Sequence, residues 1–524
     1  MKNILLGSFF LFCLGMAACF DDSSQSGTGD VSDIEIEGLR DTSIISYSGN
    51  RLEISPMIKT GYPEDELNFA WYMYSSKEAG EFAAGFEEGY RGRKIAEGKN
   101  LSYEVNLPSD MYTFIFEVVS NGNEYTKTAT MKVAVTTAYS KGFYILKEDE
   151  NGDTELDLFN QNGLRENLMK ELLGASLSGK PRNLCVTQNH PYIDEETQKM
   201  GVANMVHVFT DKNEFRAFRT EDMVEVFNRS NLLFEGMGAD EAPCSMLRST
   251  FGIYYVSNKG VYVTGAGDSG NGSGRFGIPN GNGGSQFIQS AGDPTAGLAF
   301  WNEGSHHLDF FDGSTVSPMN YEDKMPDGMV EGNLECLSCG INFVGSEKMV
   351  YFLCEDQVSS MRYLYLIAGV GQDEVTELRK LDAALHIAQG EQVAGNALTA
   401  SVIYTIHNNR LWAYNWDSGE EFEVALPGIG SGESLSFVSN QFLNIWFASN
   451  KRSENFNHLI VGTRNGKEYK LYFYDSLVGA TPVREAKDVI CGVGQVRCVR
   501  YATSLLFDAN DLMSFDAPSF PYYN

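Results

Sequence analysis

The chain has 524 residues, 43% hydrophobic and 12% aromatic, more than one ordinary core accommodates, so two or more folded domains are expected. Its formal net charge of −30 excludes nucleic acid as a partner, because a phosphate backbone would be repelled, and argues against docking on anionic headgroups. Past the first twenty residues no apolar run reaches the ~20 residues of a membrane-spanning helix.

In chain order, Lys2 supplies a positive start, Ile4 to Leu14 an apolar stretch, and Ala17-Ala18 small residues ahead of Cys19. That pattern reads as a secretory signal over residues 1–18. Met16-Ala17-Ala18-Cys19 is similar to the bacterial lipobox, with Met where Leu is usual, which implies cleavage before Cys19 and lipidation of its sulfur. Each buried methylene of an acyl chain contributes roughly 0.8 kcal/mol, so several chains hold a protein firmly at a membrane. Residues 19–32, polar and rich in Gly and Ser, read as a flexible linker. Asp21 and Asp22 resemble an acidic signal for export to the outer face of an outer membrane; a periplasm-facing anchor is the alternative.

Residues 33–138 predict an Ig-type β-sandwich. Apolar and polar residues alternate in 33–37, 52–54, 67–74, 101–105, 112–118 and 131–135, with Trp71 as the expected core aromatic and residues 75–94 as a loop.

From 139 to 524 the pattern is repetition. An apolar strand, a polar turn and a second strand carrying aromatics recur with starts at 143, 205, 252, 298, 349, 401 and 444. Spacings of this size with a strand-turn-strand unit predict a β-propeller of about seven blades; two further sandwiches are the runner-up. Leu164, Leu168 and Leu172 at i, i+4, i+8 predict one short helix over 164–173.

Candidate sites are sparse. Gly267-Asp268-Ser269-Gly270 has the look of a serine-protease nucleophile segment, but no nucleophile elbow surrounds it. Gly272 to Gly277 spells GxGxxG without a βαβ unit. Both lie in a Gly/Asn/Ser-rich stretch, 265–285, expected to be a long mobile loop on one propeller face. Asp149-Glu150-Asn151-Gly152-Asp153 lacks the later ligands of a calcium loop and reads as a hairpin turn. Trp412, Tyr414 and Trp416 share one strand face; packing between blades explains that, and a carbohydrate-stacking platform is the sharper alternative. Trp301 and His306, beside His307, sit around another turn. Trp301, His306, Trp412 and Trp416 are therefore the ligand-binding candidates; no catalytic residue, metal site or cofactor is predicted.

Besides Cys13 and Cys19, the cysteines are Cys185, Cys244, Cys336, Cys339, Cys354, Cys491 and Cys498. Cys336-Leu337-Ser338-Cys339 has CxxC spacing, but neither a second ligand pair for zinc nor the strand-to-helix context of a redox site accompanies it. A disulfide or plain buried thiols remain. Cys336 or Cys339 with Cys354, and Cys491 with Cys498, are the sequence-near pairs an oxidising compartment could close.

DIEIEGLRDT, LEISP, LNFAWYMY, NLSYEVNLPSDMYTFIFEV and KGFYILKEDENGDTELDLF resemble the PKD-like lipoproteins of Bacteroidetes. The resemblance implies a lipobox, a PKD-like sandwich and a repetitive β region, in loci built on a TonB-dependent transporter. It carries no catalytic residues. The expected function is a non-catalytic surface binding protein for a glycan, peptide or protein; a polysaccharide hydrolase or lyase, or a structural subunit of an envelope complex, are the alternatives.

Overall fold

The computed structural model describes residues 34–46, 49–75, 92–120, 125–248, 252–265, 272–290, 297–344, 349–368, 373–443 and 456–503. Cys19 with the expected signal and linker, and Gly267-Asp268-Ser269-Gly270, lie outside them.

The protein is all-β, a sandwich followed by a seven-bladed propeller. The sandwich strands are β1 (Glu35–Glu37), β2 (Thr42–Ile45), β3 (Arg51–Ile54), β4 (Met57–Lys59), β5 (Leu67–Ser75), β6 (Arg93–Glu97), β7 (Leu101–Glu104), β8 (Asp110–Ser120) and β9 (Thr126–Thr136). A five-stranded sheet, β2-β9-β8-β5-β6, faces the pairs β3-β7 and β1-β4. The alternation in β3 puts Leu52 and Ile54 inward and leaves Arg51 and Glu53 in water. Trp71 is fully buried against Phe116, ring centroids 4.6 Å apart. The strands not anticipated, β2, β4 and β6, are short and largely exposed, so no strong alternation marks them.

The first blade contains β10 (Gly142–Glu148), β11 (Thr154–Asn160) and β12 (Gly163–Arg165). Helix α1 (Leu168–Leu173) leads to the second blade, β13 (Pro181–Ile193), β14 (Met200–Thr210), β15 (Phe215–Arg219) and β16 (Glu225–Asn228). The third has three strands, β17 (Pro243–Arg248), β18 (Gly252–Ser257) and β19 (Gly260–Gly265). The fourth is β20 (Ile288–Ser290), β21 (Leu298–Asn302), β22 (His307–Phe311) and β23 (Val316–Pro318). The fifth is β24 (Leu334–Asn342), β25 (Met349–Asp356), β26 (Arg362–Ala368) and β27 (Glu377–Lys380). The sixth is β28 (Gln392–Gly395), β29 (Val402–His407), β30 (Arg410–Asn415) and β31 (Glu421–Glu423). The seventh uses β32 (Ser434–Leu443), β33 (Phe456–Asn465) and β34 (Glu468–Tyr474), then a small hairpin, β35 (Leu477–Val478) and β36 (Thr481–Pro482), then β37 (Asp488–Val493).

The last strand among the described residues, β38 (Gln495–Ala502), pairs antiparallel with β10, so it completes the first blade and closes the ring. One apolar cluster fills each of the seven blade interfaces. Tyr144 and Leu146 of β10 meet the second blade, while Ile145 between them faces the seventh. The middle strands are thus buried on both faces, and read as continuous apolar runs rather than as alternation.

Three expectations are corrected. Leu164 belongs to β12, paired with Phe159, and the helix is only Leu168–Leu173; a left-handed Asn167 (φ 59°) separates them. In the seventh blade the central hairpin is β33-β34, one strand later than the unit starting at 444, whose residues 444–455 lie outside the described ones. The described part of the Gly-rich stretch is not a free loop. Phe276 is fully buried between the second and third blades, and Asn280 bridges Val261 at the place of a fourth strand. Gly274 (φ 67°) passes so close to β13 that a Cβ would fall 1.8 Å from the Pro191 carbonyl oxygen.

Candidate functional site at the propeller axis

In each blade the strand order leaves one edge of the innermost strand unpaired, and these edges face the axis. The inner strands touch in ring order: β38 with β13, β13 with β17, β20 with β24, β24 with β28, β28 with β32 and β32 with β38. They surround a cavity of about 410 Å³, lined by residues 182–183, 286–287, 337–341, 390–395, 437–442 and 497–500, among others. Its volume lies within the usual range for small-ligand sites.

Its wall carries arginines on a chain that is strongly acidic overall. Arg182 pairs with Glu303 (3.3 Å), Arg362 with Glu355 (2.8 Å) and Arg497 with Glu148 (2.7 Å). Arg500 differs. Its Nη1 donates to the neighbouring Val499 carbonyl (3.2 Å), while its Nε is buried without a hydrogen-bond partner. Beside it, Gln441 of β32 accepts from the Tyr501 amide (3.3 Å) and donates to Ser439 Oγ (3.3 Å).

Cys339 and Cys498 line the cavity, and Cys185 is buried between the second and third blades. Burial pushes the Cys185 thiol up to about 11 and raises that of Cys339, with the Arg500 charge opposing both shifts. Arg500 lines the same cavity as Cys339 and Cys498. Thiols held so far up are protonated at neutral pH and poor nucleophiles.

The residues singled out from sequence are scattered. Trp301 is buried at the interface of the fourth and fifth blades, and Trp416 with Tyr414 at that of the fifth and sixth, so their faces meet protein. Trp412 is half-buried. His386 covers one face of its ring, stacked at 3.5 Å with an interplanar angle of 6°, and is held there by Glu421 (3.0 Å). His306, left-handed at φ 53°, contacts the Leu334 carbonyl (2.8 Å) through Nδ1. His307 instead stacks on Tyr321 and lies 3.4 Å from Asp309. At Asp149 the side chain accepts from the Asn151 and Asp153 amides, which makes the expected hairpin turn. None of the four ligand-binding candidates lines the cavity. Arg182, Gln441 and Arg500 carried no motif; the available signal was a leftover strand-length segment, QVRCVRYA, after seven hairpins.

A family model described as the PKD-like family matches residues 19–181, the sandwich and the beginning of the propeller. No curated protein matches the chain. Among solved structures, a quinonprotein alcohol dehydrogenase-like protein from Bacteroides thetaiotaomicron is 13% identical, with TM-score 0.37, covering 88% of this chain and 97% of that one. The WD40 domain of SCAP from fission yeast is 8% identical, TM-score 0.28, over 62% of this chain and 76% of that one. The Nup133 β-propeller domain of Vanderwaltozyma polyspora is 9% identical, TM-score 0.29, over 59% and 89%.

Proposed function

We propose that the protein is a lipoprotein anchored through Cys19 on the outer face of an outer membrane, with its propeller acting as a non-catalytic binding module. The observation that carries the binding role is the axial cavity of about 410 Å³ with polar and charged side chains in its wall. The thiols of Cys185 and Cys339 are held protonated, which favours binding over thiol chemistry. The sandwich would space the propeller from the membrane. Its junction is stiffened by Glu221, which accepts from the Ser109 amide (3.0 Å), and by Ser109 and Ser140, whose hydroxyls lie 3.2 Å apart. In this reading the protein serves nutrient uptake beside a TonB-dependent transporter, holding a glycan or peptide.

Calorimetric titration of the intact protein against glycan and peptide panels, with product analysis, tests the role. Saturable binding without turnover supports it; turnover of a polysaccharide refutes the non-catalytic part. Replacing Cys19 with Ala should move the protein from the membrane to the soluble fraction, and retention at the membrane would refute the anchor.

A further inference from the structure

We propose that the axial cavity recognises an oxyanion, with Arg500 as the residue that holds it. This rests on reading the channel as the ligand site, and adds the chemical class of what enters. Three of the arginines in the wall are neutralised by carboxylates, at 3.3 Å for Arg182, 2.8 Å for Arg362 and 2.7 Å for Arg497. Arg500 has no ion pair among the described residues, and its Nε is shielded from water with no acceptor. A buried guanidinium nitrogen without an acceptor is costly, whereas a planar oxyanion satisfies the fork of donors with two parallel hydrogen bonds.

The position is built for a ligand. Arg500 sits on β38, the strand that closes the ring, and its Nη1 is tied to the Val499 carbonyl. Arg500 itself lines the cavity, beside Arg497, Cys498 and Val499 of the same strand. Glu391, a carboxylate of the wall without an arginine partner among these pairs, is exposed and does not fill the place of the missing anion. The space suits a group on a solute of about monosaccharide or amino-acid size. A carboxylate and a sulfate share the required chemistry.

The test uses the full folded chain at constant ionic strength, titrated calorimetrically with glucuronate, glutamate and inorganic sulfate, and with neutral glucose. At least one oxyanion should bind with a Kd near or below about 10 mM, and R500Q should weaken it roughly tenfold or more, with R500K intermediate. Glucuronate against glutamate tells a sugar acid from an amino acid. Alkylation of Cys498, which lines the same cavity, should slow when the oxyanion saturates the wild type, a readout that stands even if R500Q fails to fold. Absence of oxyanion binding and of Cys498 protection overturns the proposal, as does unchanged affinity in folded R500Q. Glucose binding as well as glucuronate, with protection of Cys498, overturns the anion while leaving the channel as the binding site.

Discussion

Lys147 Nζ lies 2.7 Å from Asp157 Oδ2, and both side chains are out of water. The contact is close but poorly directed as a hydrogen bond, and Asp157 draws two better ones, from the Asn167 amide (2.7 Å) and from Tyr469 Oη (2.8 Å). Tyr469 belongs to the seventh blade, Lys147 and Asp157 to the first. The cluster therefore lies at the interface where the ring closes.

Removing one partner strands the other charge, which typically costs about 3–5 kcal/mol, whereas an apolar pair of similar volume is often neutral or stabilising. Asp157→Ala should lower the denaturant midpoint steeply, and the double variant Lys147→Met with Asp157→Leu should recover only part of the loss, because the Asn167 amide and the Tyr469 hydroxyl still lack their acceptor. Urea unfolding followed by tryptophan fluorescence measures both. A single variant as stable as wild type would mean that the pair adds nothing to closure.

Buried histidines give the molecule an acid-sensitive window. Burial lowers His190 to about 4 and His458 to about 4, and lowers His207 well below its ordinary value. His190 Nε2 lies 3.0 Å from the Gly274 carbonyl and His207 Nε2 2.8 Å from Thr187 Oγ1, with Arg248 adding its charge near His190. The unfolded chain takes up these protons near pH 6.5 and the folded one only near 4, so stability is complete above about 6.5 and falls toward 4. Denaturant midpoints should be flat from pH 7 to 8 and drop between about 6.5 and 4. His207→Gln should shallow that slope, and a slope unchanged in this variant would assign the loss to other groups.

The sandwich was legible from alternation in strands such as β3, and the propeller from the strands buried on both faces. Tyr254-Tyr255, Phe300-Trp301 and Tyr404 sit in second strands, pressed between neighbouring blades, and their apolar runs recur with the ring. The inner strands carry Arg182, Ser338, Gln441, Arg497 and Arg500, because their environment is a polar channel. Such strands show neither an apolar run nor clean alternation. The candidate site is built from them, so the hairpin pattern that revealed the ring could not reveal the site. The tryptophans stood out for the opposite reason: Trp301 and Trp416 are large because they fill interfaces.

Tyr351 depends on two glycines. It is 1% exposed, faces Gly340 across β24 and β25, and packs against Gly395 of the sixth blade; a Cβ on either glycine would fall 2.5 Å from its Cε1. Its hydroxyl lies 3.3 Å from Ser338 Oγ, and burial holds its pKa above the ordinary value. Gly395→Ala should cost about 1–3 kcal/mol by overpacking. Trimming the ring in the same background, with Tyr351→Leu, should return part of that loss. Urea midpoints of the single and double variants decide; additive losses would show that the ring and the methyl group do not collide.

All the described cysteines are free thiols in the structure, and of the pairs suggested by sequence only Cys336 and Cys354 stand directly opposite each other. Cys336 and Cys354 are direct partners across β24 and β25, both buried. Directly opposed residues of antiparallel strands stand about 4.5–5.5 Å apart at Cα, inside the range of a disulfide. Cys491 and Cys498 are separated by topology: β37 is the outermost strand of the seventh blade and β38 the innermost of the first. Three strand spacings of ~4.8 Å across a blade exceed a disulfide's reach of about 7 Å. Material folded under oxidising conditions should therefore yield a Cys336–Cys354 peptide in non-reducing mass mapping, and no Cys491–Cys498 peptide. Closing that short loop should stabilise the fifth blade by about 3 kcal/mol, seen as a lower melting temperature after reduction. A Cys491–Cys498 link would contradict the blade order itself, since no twist of a folded blade brings its outer edge to the axis.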